Sequence, residues 1–170
     1  HEFQADVILQ NNTQLDVASG GSLAFNNRLD VGANTLTKIG AGTLAINNVL
    51  NASGGEISCT TGTCNGSGTV VGNLNNSSGT VAPGNSPGIL TIHGNYTQGG
   101  SGTLAVEIGG LVPGEDHDKL VVSGIATLDG TLDVTLINGF TLAGDMLFDV
   151  LDVDSVVNDF STFNLPAGLV

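Results

Sequence analysis

The sequence predicts an all-β protein, a parallel β-solenoid whose coils have three faces and about 21 residues each. Three observations predict it: a composition suited to short strands, apolar residues that recur in a fixed cycle, and two segments that align at the same offset. The length of 170 residues suits a single domain built as one stack of coils.

The composition favours strands and turns over helices. Gly accounts for 26 residues, Trp is absent and aromatic residues make up 4% of the chain. Short groups of Val, Ile and Leu are separated by Asn, Thr and Ser, which are weak helix formers and frequent in turns. This texture is typical of many short strands joined by turns.

Apolar residues recur in the first third of the chain with separations of 7, 8 and 6, a cycle that returns at 21. The members of this set are Ile8, Leu15, Leu23, Leu29, Leu36, Leu44, Leu50 and Ile57. Three unequal steps with a constant sum are expected when each coil has three faces and each face supplies one inward residue. A helix would instead repeat its apolar residues every three or four positions.

A direct alignment gives the same offset, because residues 22–31 and 43–52 match at five of ten positions. Stacking at this offset places Leu23 over Leu44 in the core.

The same offset places pairs of asparagines over one another. We expect two amide ladders at a turn of the stack, Asn26 over Asn47 and Asn27 over Asn48, each amide bonding the next.

The 21-residue spacing is lost after Ile57. Val70 in the next strand that begins with Gly-Thr follows Leu44 by 26 residues, which predicts an inserted loop of five residues. Cys59 and Cys64 occupy that insertion. Their separation allows a disulfide in a tight loop, and two free thiols are the alternative. A metal site is disfavoured because the other candidate ligands, His93 and His117, are distant in sequence.

The two ends of the chain differ from its middle. We set residues 1–3 aside as a tag or cloning remnant, which suggests a fragment, and assign residues 4–139 to the coils. Residues 140–170 hold four of the six Phe residues interleaved with Asp, and we expect them to form an atypical C-terminal cap.

Charge excludes two classes of partner. Lys and Arg number 3 against 16 Asp and Glu, for a net charge of -13, so the chain lacks the basic surface that nucleic acids and anionic membranes require. No apolar run reaches 18 residues, so we expect no membrane insertion by this segment.

Residues 36–46, LTKIGAGTLAI, are similar to the passenger-associated repeat of bacterial autotransporters, whose string is L-x-K-x-G-x-G-x-L. Lys38, Gly40, Gly42 and Leu44 match it. The likeness continues through APGNSPG and through a D-x-L-x-V-x-G-x-A-x-L-x-G motif beginning at Asp118.

The resemblance implies a right-handed parallel β-helix that a C-terminal barrel exports across the outer membrane to the bacterial cell surface. Related surface proteins carry the same repeats without that barrel. We therefore expect a non-enzymatic extracellular stalk, folding nucleus or adhesion surface that uses no cofactor. The expected partners are surface glycans, host or neighbouring-cell proteins, or a second copy bound through the end coils.

An acidic loop, residues 115–118, carries three carboxylates around His117 and is a weak candidate for catalysis or incidental calcium binding. A β-helix polysaccharide lyase or glycosidase is the enzymatic alternative. Its best acids, the interleaved carboxylates from Asp149 to Asp159, lie in the expected end element, which disfavours it, and mutation of Asp149 or Asp152 would test it. Lyases need a basic residue in the site, and Arg28, Lys38 and Lys119 are far apart in sequence.

Binding to ice or another crystal is a third possibility, since flat solenoid faces can carry ranks of threonine. Thr35, Thr37 and Thr43 do not recur at 21-residue offsets, so the sequence gives this reading no support.

Overall fold

The computed structural model describes residues 1–169, and these contain 18 β-strands and no helix. The described part accordingly has no helix long and apolar enough to cross a membrane. The strands are β1 (Glu2–Phe3), β2 (Val7–Ile8), β3 (Thr13–Asp16), β4 (Ser22–Phe25), β5 (Leu29–Asp30), β6 (Thr35–Ile39), β7 (Thr43–Ile46), β8 (Val49–Cys59), β9 (Thr63–Gly66), β10 (Thr69–Asn76), β11 (Thr80–Pro83), β12 (Ile89–His93), β13 (Tyr96–Gln98), β14 (Thr103–Ile108), β15 (Lys119–Thr127), β16 (Thr131–Leu136), β17 (Leu151–Val157) and β18 (Thr162–Asn164).

The strands form three faces of a parallel β-helix, as the sequence predicts. Face A contains β1, β4, β7, β9, β11, β14, β16 and β18, in that order. Faces B and C share the long strands β8, β10, β15 and β17, whose first halves lie in face B and second halves in face C. Strands β2, β5 and β12 complete face B, and β3, β6 and β13 complete face C. The strand ladders are parallel throughout, so each coil adds one rung to every face.

Inward residues stack in columns that fill the centre of the helix. On face A, Leu23 lies over Leu44 and Leu44 over Cys64. Leu44 and Cys64 are fully buried, because each rung covers the one before it. Burying one leucine contributes about 2 kcal/mol, so the repetition of this contact holds the stack together.

The first coil departs from the predicted spacing. Val7 pairs with Leu29 at an offset of 22, and Ile8 points outward with 67% of its surface exposed. Leu15 lies opposite Lys38 at an offset of 23. The assignment of Ile8 as an inward residue was wrong because neighbouring residues of a strand alternate between core and solvent.

The predicted five-residue insertion after Ile57 is also wrong. Val70 pairs with Leu50 at an offset of 20, and Leu74 pairs with Ile57 at 17. The coil therefore shortens. The irregularity lies within β8 instead, at the corner between faces B and C, where the ladder to β10 shifts register between Val71 and Asn73.

Both ends of the chain belong to the stack. Glu2 and Phe3, which we expected outside the fold, pair with β4, and the Phe3 and Phe25 rings stack at 4.9 Å. In the predicted cap, β17 pairs with β15 and β18 with β16, so these strands continue the parallel ladders. The final residue of that predicted segment, 170, lies outside the described residues.

Candidate functional site

Lys38 is the most deeply buried charge of the described chain, with none of its surface exposed. Its Nζ donates three hydrogen bonds, to the backbone carbonyls of Gly40 at 2.7 Å, Thr61 at 2.9 Å and Ile39 at 3.1 Å. An ammonium group has three donors, so every donor has a partner. Because Thr61 belongs to the next coil, Lys38 ties two rungs together at the corner between faces C and A.

The glycines of the same string allow the coils to approach closely. Gly40 has a φ of +76°, a left-handed conformation that favours glycine. A Cβ atom built on Gly42 would lie 2.3 Å from the carbonyl oxygen of Ala18. The string L-x-K-x-G-x-G-x-L therefore encodes a corner of the helix, and the ammonium group of its lysine donates all of its hydrogen bonds to backbone carbonyls.

Later rungs place other polar side chains at the position of Lys38. Lys38, Cys59, Asn76 and Gln98 stand in register on face C and form what we call the polar column. Asn76 Nδ2 donates to the carbonyl of Thr103 at 3.0 Å. The polar column thus supplies donors to corner carbonyls in more than one rung.

Gln98 repeats this arrangement, since its Nε2 donates to the carbonyls of Asp129 and Thr131 at 2.7 and 3.1 Å. The Tyr96 hydroxyl donates to Gln98 Oε1 at 2.6 Å. Burial raises the pKa of Tyr96, which keeps the phenol protonated as the donor. Sequence reasoning missed this column, although strict alternation along β13 places Tyr96 and Gln98 on the inward side.

Cys59 and Cys64 are free thiols in the structure, and both are fully buried. They occupy core positions on two adjacent faces of one coil, Cys59 opposite Lys38 and Cys64 opposite Leu44. The structure thus has the two free thiols, the alternative to the predicted disulfide, and the inserted loop that was to hold that disulfide does not exist.

The two thiols contact each other, and their pKa values move in opposite directions. A hydrogen bond with Cys64, aided by the nearby Lys38 ammonium, lowers the pKa of Cys59. The contact with Cys59, together with burial, raises the pKa of Cys64. Cys59 is thus the more acidic thiol of the pair.

We expect a thiol reagent such as Ellman's reagent to leave both cysteines unmodified in the native protein, because the reagent cannot reach them. In denaturant without reductant it should titrate two thiols per chain. Finding thiols only after reduction would show a disulfide and contradict the structure. A Cys59→Ser variant, which should titrate a single thiol, calibrates the measurement.

The asparagines predicted to form ladders lie at the corner between faces A and B. Asn47 Nδ2 donates to Asn26 Oδ1 at 2.8 Å, and Asn85 Nδ2 donates to Asn47 Oδ1 at 3.1 Å, so the first ladder has a third member. The second pair does not bond to each other. Asn48 Nδ2 donates to the backbone carbonyl of Asn26, and Asn27 Nδ2 donates to that of Gln4 in the preceding coil. Backbone carbonyls left free at the turn attract these amides.

The APGNSPG segment, residues 82–88, forms one wall of a small cleft of about 350 Å³ on the outer side of face A. Asp118 closes this cleft from below. Its carboxylate accepts hydrogen bonds from the backbone N–H of Gly88 at 2.8 Å and of Glu107 at 2.9 Å. Both carboxylate oxygens are therefore occupied, and Asp118 joins strands of faces A and B. Burial raises the pKa of Asp118 to about 6.

Acidification is expected to stabilise the native protein through Asp118. The folded state binds a proton below about pH 6, whereas the unfolded chain does so only near the ordinary value of 3.8. The free energy of unfolding should therefore rise as the pH falls through this window. Melting temperatures measured between pH 7.5 and 4.5 should show a flatter dependence in Asp118→Asn.

Asp154→Asn is the matched control, since it removes the same charge from an exposed strand position. Its melting temperature should follow the pH dependence of the unmodified protein. Equal slopes for all three proteins would exclude Asp118 as the titrating group.

The three carboxylates of the acidic loop, residues 115–118, do not converge on one site. Asp118 is buried below the cleft, Asp116 accepts a bond from the backbone N–H of Val112 at 3.2 Å, and Glu115 is exposed. His117 is buried, with its ring at right angles to that of Phe148 at 5.7 Å. Across residues 1–169 no group of three or more His, Cys, Asp or Glu side chains is placed to hold a metal ion.

Lys119 comes close to the two acids of the enzymatic alternative. Its Nζ lies 2.6 Å from Asp149 and 3.0 Å from Asp152, both of which are more than half exposed. This proximity could not be predicted from the sequence, because 30 positions separate Lys119 from Asp149. One coil of that length places the two residues on neighbouring rungs. The hydrogen bond with Asp149 raises the pKa of Lys119, which keeps the ammonium protonated and unsuited to act as a base.

Comparisons were made with protein-family models and with curated proteins. No family model matches this chain, and no curated protein matches it. The likeness of residues 36–46 to the autotransporter repeat therefore stays a prediction made from the motif.

Proposed function

We propose that this chain is a non-enzymatic structural segment of a bacterial surface or secreted protein of the autotransporter-passenger type. It acts there as a β-helical stalk and folding nucleus. The observation that supports this proposal best is the continuous stack: eight strands in register along face A, about 34 Å from first to last. A rod of this kind separates what it carries from the surface to which it is attached.

The bonding of the interior supports the same proposal. Lys38, Asn76 and Gln98 are three of the five buried polar or charged side chains of the described chain, and all three donate to backbone carbonyls at a corner. These bonds rigidify the rod. A charged or amide group bonded in this way stabilises the fold, because leaving the buried carbonyls unpaired would cost about 1–3 kcal/mol each.

The expected partners are surface glycans, host or neighbouring-cell proteins, and a second copy bound through the end coils. The first and last rungs carry apolar side chains that are exposed, among them Phe3 at 42% and Phe163 at 50%. Strand edges with exposed apolar residues favour association.

A deletion of one whole coil tests the structural role in the intact parent protein. Removing residues 24–44 joins Leu23 to Ala45, which stands in register with Ala24, so a shorter stack should form. We expect antibodies against the segment to label intact cells carrying either the shortened or the original protein. Removing residues 24–33 alone should abolish labelling, because half a coil breaks the register.

Two results would contradict the proposal. The first is the absence of labelling on intact cells that produce the original protein. The second is cleavage of an acidic polysaccharide that is lost in Asp149→Asn or Asp152→Asn, which would establish the carbohydrate-active enzyme instead.

A further inference from the structure

The outer side of face A carries an unbroken rank of hydroxyl side chains. One outward residue on each of seven successive rungs is Ser22, Thr43, Thr63, Thr80, Thr103, Thr131 or Thr162. We call this set the threonine rank. Its members are separated by 21, 20, 17, 23, 28 and 31 residues, so a search at a constant offset of 21 cannot find it. Strand pairing nevertheless keeps the hydroxyls about 4.8 Å apart over about 29 Å.

The hydroxyls of the threonine rank are free to bond outside the protein. Within residues 1–169 no side-chain hydrogen bond to another protein group involves any of them, whereas the hydroxyls of Thr13, Thr60 and Thr61 each donate to a backbone carbonyl. Each threonine presents a hydroxyl beside a methyl group. The rank thus repeats a hydroxyl donor and acceptor at every rung and adds a methyl group at its six threonines.

The surface beside the threonine rank is low and neutral. The second residue on the outer side of the strands β4, β7, β9, β11 and β14 is Ala24, Ala45, Asn65, Ala82 and Ala105, of which Ala24 and Ala45 are themselves buried. Between Glu2, which pairs with Ala24 at the start of the second rank, and Asp133, these two ranks carry no formal charge, although the chain as a whole carries -13. This strip of five rungs has neither charge nor large side chains, which complements a flat, uncharged partner; Glu107 and the cleft above Asp118 lie beside it.

The regular spacing narrows the choice of partner. A surface that repeats the same group along one direction gains from every rung only when the partner repeats with a matching distance. The surfaces of most globular proteins do not repeat in this way. Polysaccharide sites use aromatic stacking, but neither of these two ranks contains an aromatic residue.

We propose that face A binds ice through the threonine rank. The strand spacing is close to the repeat of hexagonal ice along its a axis, so water bound at one hydroxyl continues into the lattice at the next. The methyl groups order the water between hydroxyls. This inference goes beyond the proposed stalk role and does not depend on it, since the rank is a property of the isolated stack.

Ice-affinity partitioning and thermal hysteresis test the proposal on the purified 170-residue chain. We expect the protein to enter a slowly growing ice hemisphere and to hold seed crystals in facets below their melting point. Thr80→Tyr and Thr103→Tyr place a large ring in the middle of the rank and should reduce hysteresis at least about tenfold.

Thr91→Tyr is the matched control. Thr91 is an outward threonine on face B, in a central rung, and its substitution should leave hysteresis unchanged. Circular dichroism and melting curves confirm that each variant is folded before it is compared. Because all three side chains point outward, each variant should keep the melting temperature of the parent.

Three results would overturn the proposal: rejection of the parent protein from ice, equal loss of hysteresis in Thr80→Tyr and Thr91→Tyr, or retention of full hysteresis when Thr80 and Thr103 are both replaced. Depletion of the protein by crystalline cellulose, with none by ice, would assign face A to a solid polysaccharide. The stalk role is tested separately by surface labelling, so either proposal can fail alone.

Discussion

Replacing Lys38 with methionine should lower the free energy of unfolding by about 3 kcal/mol or more. Methionine fills the same volume, but it removes the three hydrogen bonds that the ammonium donates to Ile39, Gly40 and Thr61. The Thr61 carbonyl then loses its donor, while Ile39 keeps the Val17 N–H at 3.1 Å and Gly40 keeps the Thr61 hydroxyl at 3.4 Å. Urea denaturation followed by circular dichroism measures the change through the shift of the midpoint at constant slope.

Arg28→Met provides the control. Arg28 forms an ion pair with Asp30 at 2.8 Å on the surface, where half of its side chain is exposed. Exposed pairs contribute at most about 1 kcal/mol, so this variant should unfold close to the parent. Similar losses in both variants would mean that Lys38 contributes through its charge in general and not through the corner.

Replacing Gly42 with alanine should cost about 2–4 kcal/mol. The added Cβ would lie 2.3 Å from the carbonyl oxygen of Ala18 and 2.6 Å from that of Gly21, and backbone atoms cannot move aside as a flexible side chain can. The preceding coil must therefore be displaced. Thermal unfolding should show a melting temperature lowered by several degrees, since 1 kcal/mol corresponds to about 2–4 °C at this chain length.

Gly20→Ala separates crowding from backbone conformation. Gly20 has a φ of +73°, yet an added Cβ would meet nothing within 4 Å. Its cost should be about 1 kcal/mol, the ordinary penalty for a left-handed residue with a side chain. If Gly42→Ala proves as mild as Gly20→Ala, the close stacking at this corner is not what requires glycine.

The repeat region shows why the fold could be predicted. Residues 22–57 keep a constant coil length, so sequence spacing and spatial register coincide, and Leu29 lies on Leu50 as Leu23 lies on Leu44. Alternating burial along the strands then follows from the pleat. The three-faced parallel architecture is confirmed on these grounds.

Register elsewhere is set by backbone hydrogen bonds, which spacing alone does not reveal. A corner can gain or lose residues while the strands on either side stay paired, as the offsets of 17 at Ile57–Leu74 and 30 at Ile92–Val122 show. The false insertion at Cys59 and Cys64 arose from taking a change in spacing as an added loop. The threonine rank was missed for the same reason.

The buried polar residues were unpredictable for a different reason. Lysine is almost never fully buried, so Lys38 gave no hint of its location from its type. The signal that could have found it is local: Leu36 and Lys38 stand two positions apart in the short strand before the glycines, and alternation along that strand places Lys38 on the inward side with Leu36.

The three corners of the helix differ in how much change they accept. Between faces C and A, the close approach of the coils at the glycines and the hydrogen bonds of Lys38 leave no room for an inserted residue. Between faces A and B, the short asparagine turns of the early coils give way to the excursions at 109–118 and 137–150, and the ladders on both sides continue undisturbed. Graft sites therefore exist along one edge of the rod: a peptide epitope or a binding loop inserted there would be displayed at a height chosen by the rung, without rebuilding the scaffold that carries it.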